Sequence, residues 1–185
     1  MARDGPKASP ATRRSWTNQP LPEKRSRLAL RREFTGQEFE ALRRGLIPEA
    51  MEDRWFIFLE GDILYFHRSW TGYCIYQLSL RKEDAGYAVA EALVNRDAGQ
   101  YSGGDDAHDV KLWTFLIDNL LLGQVSTFPV PAGVPAGMAA GLYHHHVAGV
   151  GPGAQGRRGR TGAPAWVWAW LKGIVRGLGR EWKRS

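Results

Sequence analysis

His67, Arg68, Ser69, Trp70, Thr71 and Gly72 follow one another without a break, and Tyr73 comes next. An imidazole, a guanidinium and two hydroxyls are thus crowded beside two aromatic rings. A guanidinium fork matches phosphate and carboxylate oxygens in pairs, and an indole stacks on planar groups. If residues 63–70 form a strand, alternate side chains share a face. His67 and Ser69 then point one way, and Arg68 and Trp70 the other, with Leu64 and Phe66. These residues predict a ligand-binding site of His67, Arg68, Ser69, Trp70, Thr71 and Tyr73, suited to an anionic or nucleotide-like small ligand. The competing reading is structural: Arg68 pairs with Glu60 or Glu52, and Trp70 is core. An acid–base role for His67 needs an orienting carboxylate that the sequence does not single out. Cys74 reads as a buried small hydrophobe in mid-strand. No complete set of nucleophile, base and orienting group can be read, so no catalytic residue and no cofactor are assigned.

Other polar clusters are weaker. Asp105, Asp106 and Asp109 with His108 could ligate a metal, but they lack the central Gly and terminal Glu of a calcium loop. Capping a helix explains the same acids, and no metal site is predicted. His144, His145 and His146 lie among Gly and Pro, where adjacent imidazoles bind Zn²⁺ or Ni²⁺ only weakly. The single Cys excludes an internal disulfide and a Cys-built zinc site. At the end of the chain Trp166, Trp170, Ile174, Leu178 and Trp182 recur every four residues, flanked by Lys172, Arg176 and Arg180. That is the pattern of an interfacial helix on an anionic membrane. Packing on the rest of the chain, and no role at all, are the alternatives.

The elements that would position these residues follow from periodicity. Thr35 and Glu38 form a capping box for a helix over 36–44, stopped by Gly45 and Pro48. Residues 55–59, 63–70 and 73–80 read as three strands joined by the turns at Gly61 and Gly72. Tyr87, Ala90, Leu93 and Val94 predict a helix over 84–95. Val110, Trp113, Leu116, Ile117 and Leu120 predict another over 106–122. The expected fold is α+β: a small three-stranded antiparallel meander, one helix before it and two after it, flanked by disordered tails. The organisation is a basic disordered tail over 1–27, a domain over 28–123, a Gly/Pro/Ala-rich linker over 124–164 and a basic Trp-rich segment over 165–185.

The 185 residues carry 25 Lys+Arg and 19 Asp+Glu, a net charge of +6. The charge is partitioned: +7 over 1–32, −8 over 33–155 and +7 over 156–185. An acidic body between basic ends disfavours nucleic acid as the body's partner. The ends either fold back on the body or bind an external polyanion. No apolar stretch reaches the roughly 20 residues of a membrane span, and the basic start lacks a following apolar region. The chain reads as cytoplasmic, with 165–185 offering peripheral membrane contact.

The run Trp55-Phe56-Ile57-Phe58, followed by Leu64-Tyr65-Phe66-His67-Arg68-Ser69-Trp70-Thr71-Gly72-Tyr73-Cys74-Ile75-Tyr76, resembles an uncharacterised bacterial family. Its members are small stand-alone proteins or lie beside macro-type ADP-ribose modules. The resemblance covers about 45–122 and implies, at most, a nucleotide-like ligand. The expected function is a small intracellular ligand- or nucleotide-binding module centred on residues 67–73. The alternative is a protein-interaction or immunity-type accessory module, without enzymatic activity, using its acidic body.

Overall fold

A computed structural model describes residues 9–50, 52–102 and 105–124. The chain divides into two units, Met1–Ala154 and Gln155–Ser185, and all described residues lie in the first. His144, His145, His146 and the 165–185 segment, with Trp166, Trp170, Ile174, Leu178 and Trp182, lie outside the described residues.

Along the chain come β1 (Arg25–Arg27), β2 (Glu33–Phe34), α1 (Gly36–Arg44), β3 (Trp55–Glu60), β4 (Ile63–Arg68), β5 (Cys74–Glu83), β6 (Gly86–Asn95) and α2 (Asp106–Leu116). A π-helical stretch, Ile117–Leu121, continues α2. The strands form one antiparallel sheet in the order β1-β6-β5-β4-β3, with β2 also pairing with β6. The helix over 36–44 has the expected capping box: Glu38 N–H donates to Thr35 Oγ1, and Thr35 N–H to the Glu38 carboxylate. The expected three-stranded meander with one helix before it and two after is wrong. The sheet has six strands, and the described residues form two α-helices.

The predicted helix over 84–95 is β6, and a single extra residue accounts for the misreading. Leu80 pairs with Val89 and Ser79 with Glu91, so Ala90 is a bulge. Before the bulge Tyr87 and Val89 face the helices. After it Ala92 and Val94 do, and both are buried. A period of two interrupted by one residue yields the three- and four-residue spacings that suggest a helix. Gly86 is required where β2 runs alongside the start of β6, because a Cβ there would lie 2.2 Å from the Phe34 carbonyl oxygen.

One sheet face carries Trp55, Ile57, Leu64, Phe66, Tyr76 and Leu78 against Leu42 of α1 and Leu112, Trp113 and Leu116 of α2. The other face carries Phe56, Phe58 and Tyr65 on β3 and β4, covered by Ala11. Residues 9–27, expected to be a disordered tail, are therefore part of the body. Ala11 N–H donates to the Arg44 carbonyl at 2.8 Å, and Arg96 N–H to that of Lys24 at 2.7 Å. The Arg13 guanidinium stands over the rings of Phe58 (5.3 Å) and Tyr65 (5.1 Å), while its Nε donates to Glu60 at 2.9 Å. The segment has few aliphatic side chains, so hydrophobicity gave no sign of it. Backbone hydrogen bonds and cation–π contacts hold it instead. No helix among the described residues is long and apolar enough to cross a membrane.

Candidate functional site

β4 ends at Arg68, two residues before the strand boundary expected from the sequence, and the chain turns through Ser69, Trp70, Thr71 and Gly72 into β5. Arg68 N–H donates to the Tyr73 carbonyl at 2.9 Å, and Gly72 N–H to the Arg68 carbonyl at 2.8 Å. Gly72 has φ 73°, the left-handed region, and a Cβ there would meet Thr17 Cγ2 at 3.1 Å. The close neighbour is the N-terminal segment, which is laced onto the turn. Gln19 N–H donates to the Gly72 carbonyl at 2.8 Å, Gln19 Nε2 to that of Thr71 at 3.1 Å, and Trp16 Nε1 to that of Ser69 at 2.8 Å.

The hydroxyls of the turn are also engaged within the protein. Ser69 Oγ donates to the Asp53 carbonyl at 2.6 Å, and Thr71 Oγ1 accepts from Tyr73 N–H at 3.3 Å. His67 is buried. Its Nδ1 lies 2.9 Å from the Gly72 carbonyl oxygen, which can only accept, so Nδ1 carries the hydrogen. The ring stacks on Phe58 at 5.5 Å, and Nε2 has no hydrogen-bond partner among the described residues. Burial lowers the pKa of His67 below its ordinary value, the Gly72 carbonyl opposes this, and Arg13 adds to the lowering. The imidazole is thus neutral at pH 7 and shut away from solvent. Cys74 is buried as well, which pushes its thiol up to about 12 and leaves no thiolate at neutral pH.

Arg68 lies on the helix-side face with Leu64 and Phe66, as alternation predicts, and its guanidinium stands 4.2 Å above the ring of Trp55. Glu60, one acid that the sequence offered it, is the partner of Arg13. Tyr73 is half-buried against the main core. Trp70 is different: it is 61% exposed. The guanidinium 3.9 Å above its ring belongs to Arg54, a residue the sequence reading passed over. Arg54 is half-buried, and that burial lowers its pKa against the opposing pull of Glu52. Trp16, 39% exposed, reaches the same turn by donating to the carbonyl of Ser69, the residue before Trp70. No local sequence signal could have joined Trp16, Arg54 and Trp70, because only the fold brings them together.

The acidic cluster has separate duties. Asp105 caps α2 by accepting from His108 N–H at 2.8 Å, and Asp106 pairs with Arg96. Asp109 is fully buried. It accepts from Tyr76 OH at 2.8 Å, from Tyr101 OH at 2.6 Å and from Arg96 Nη1 at 2.6 Å. Burial, ahead of the neighbouring carboxylate and hydroxyl, raises the Tyr76 pKa far above its ordinary value, so its hydroxyl stays a donor. Among the described residues no group of three or more His, Cys, Asp or Glu is placed to share a metal ion.

No family model, no curated protein and no solved structure matches this chain.

Proposed function

We propose that this protein is a non-enzymatic recognition module that binds a partner protein through Trp70, Arg54 and Trp16 at the β4–β5 turn. The observation that carries this reading is the exposure of Trp70, 61%, on a turn whose other polar groups are bound internally. Trp and Arg dominate the centres of protein interfaces. The cation–π contact holds the two side chains together before a partner arrives, which reduces the entropy lost on binding. His67 and Ser69, the residues with acid–base and nucleophilic potential, use their polar atoms to shape the turn. This favours binding over chemistry. Compared with the alternative read from the sequence, the surface moves from the acidic body to the turn. Over residues 9–124, 15 Lys+Arg meet 17 Asp+Glu, so the body offers little net charge to a partner.

A photo-crosslinking residue in place of Thr71 should capture a partner in the native cell. The purified partner should then bind Trp70→Ala about 30-fold more weakly, the loss of ~2 kcal/mol expected at an interface hot spot. The melting temperature should fall by only a few degrees, because the indole is largely in solvent and the contact it gives up is with Arg54. Equal binding of that partner to both proteins would place the interface elsewhere.

A further inference from the structure

Away from the turn, the sheet face opposite the helices carries an open groove of about 600 Å³. Its origin lies in the strand register. Ala88 of β6 pairs with Glu33 of β2 on one side and Arg81 of β5 on the other. Cross-strand partners point to the same face, so the row reads Glu33, Ala88, Arg81. A methyl group between two long side chains leaves a trough. Arg31 extends one wall and Glu83 the other. Each wall therefore presents one guanidinium and one carboxylate, two residues apart.

The cations differ in availability. Arg32, which also lines the groove, is committed: its Nη2 lies 2.5 Å from Asp118 and its guanidinium 5.3 Å from the Phe34 ring. Arg81 bonds Glu83 at 2.6 Å, but both side chains are well exposed, at 66% and 39%. Such a surface pair exchanges readily for a better partner. Arg31 is exposed and has no ion pair among the described residues.

We propose that this groove binds a sugar phosphate, with the phosphate between Arg31 and Arg81 and the sugar hydroxyls donating to Glu33 and Glu83. With Arg32 held by Asp118, Arg31 and Arg81 remain to meet an anion, and two guanidinium forks suit the tetrahedral oxygens of phosphate. The two carboxylates select against an anion with nothing to donate, which would meet their repulsion. They accept from hydroxyls, so a polyol that carries a phosphate satisfies both kinds of group. No aromatic side chain lines the groove, which leaves a nucleobase nothing to stack on. The volume lies within the range of small-molecule sites.

Titration calorimetry of the full-length protein with ribose 5-phosphate, glucose 6-phosphate and inorganic phosphate tests this. A sugar phosphate should bind at physiological ionic strength, more tightly than inorganic phosphate. Arg31→Ala and Arg81→Ala should each weaken it about tenfold or more. Both side chains are exposed, so circular dichroism should confirm an unchanged fold. Glu33→Gln with Glu83→Gln should erase the preference over inorganic phosphate. Trp70→Ala should leave every affinity unchanged, which separates this groove from the turn surface. Absence of millimolar binding would overturn the proposal. So would affinity retained in the Arg31→Ala, Arg81→Ala double variant, which would place the anion elsewhere on this basic chain. Equal affinity for inorganic phosphate and both sugars would reduce the groove to a simple anion site and overturn the hydroxyl contacts.

Discussion

His67 shows how much one residue's meaning depends on its surroundings. In the sequence it stands in a polar string and suggests acid–base chemistry. In the fold it is an aromatic plate on β4 packed against Phe56 and Phe58, fixed through Nδ1 to the Gly72 carbonyl. Its pKa is lowered on folding, so below about 6.5 the unfolded chain binds the proton first. Its contribution to stability is therefore full above that value and declines as pH falls toward the folded-state pKa. At pH 7, His67→Phe should cost about 1 kcal/mol, the net worth of the lost hydrogen bond. Between pH 7 and 5 the gap between the two proteins should narrow in urea unfolding. A constant gap would mean that His67 does not titrate differently in the two states. The sequence located the turn and its residue types. It could not show that Trp70 leaves the strand and faces solvent, since alternation assumes that the strand continues.

Among the elements, α2 is joined to the sheet by polar chemistry as well as by apolar packing. Asp109 reaches from its first turns to Tyr76 on β5, while Arg96, just after β6, grips both Asp109 and Asp106. Removing one member of a buried pair leaves the other without compensation. Asp109→Ala should cost about 3 kcal/mol, at the lower end for such pairs because Arg96 keeps Asp106. Tyr101→Phe should cost about 1 kcal/mol. If chemical denaturation finds the two variants equally stable, the carboxylate is not the centre of this network. The capped helix at Gly36–Arg44 and the β3–β4 hairpin were legible, because a capping box and a Gly turn are local signals. β6 was not, because one bulge was enough to disguise its period. β1 and β2 were not, because two or three residues carry no period at all.

For the molecule as a whole, the basic stretch over 9–32 is not simply an extended tail. Arg13, Arg27 and Arg32 within it pair with Glu60, Glu91 and Asp118 of the acidic middle. The segment also roofs Phe56 and Phe58, both fully buried. A chain that starts at residue 20 should lose on the order of 2 kcal/mol against one that starts at residue 9, from the apolar surface laid bare. It should also bind a hydrophobic dye in the native state. A shortened chain with unchanged stability and no dye binding would mean that residues 9–19 merely rest on the sheet. Pairwise charge contacts between distant parts of a chain leave no mark in a linear reading beyond opposite blocks of charge.

The same closure sets an order of events during synthesis. The segment ahead of the hairpins has its partners on strands made later: Trp16 waits for Ser69, Leu28 for Ala92, and Arg25 for Asn95. The β3–β4 and β5–β6 hairpins need only their own short turns. Local pairing outruns distant pairing, because closing a long loop costs more entropy. The hairpins should form while residues 9–28 are still unpaired, and the roof should close last. In the finished protein the amides of Ala11, Gln19 and Leu28 should therefore exchange with solvent hydrogen before those of Ile57 and Phe66.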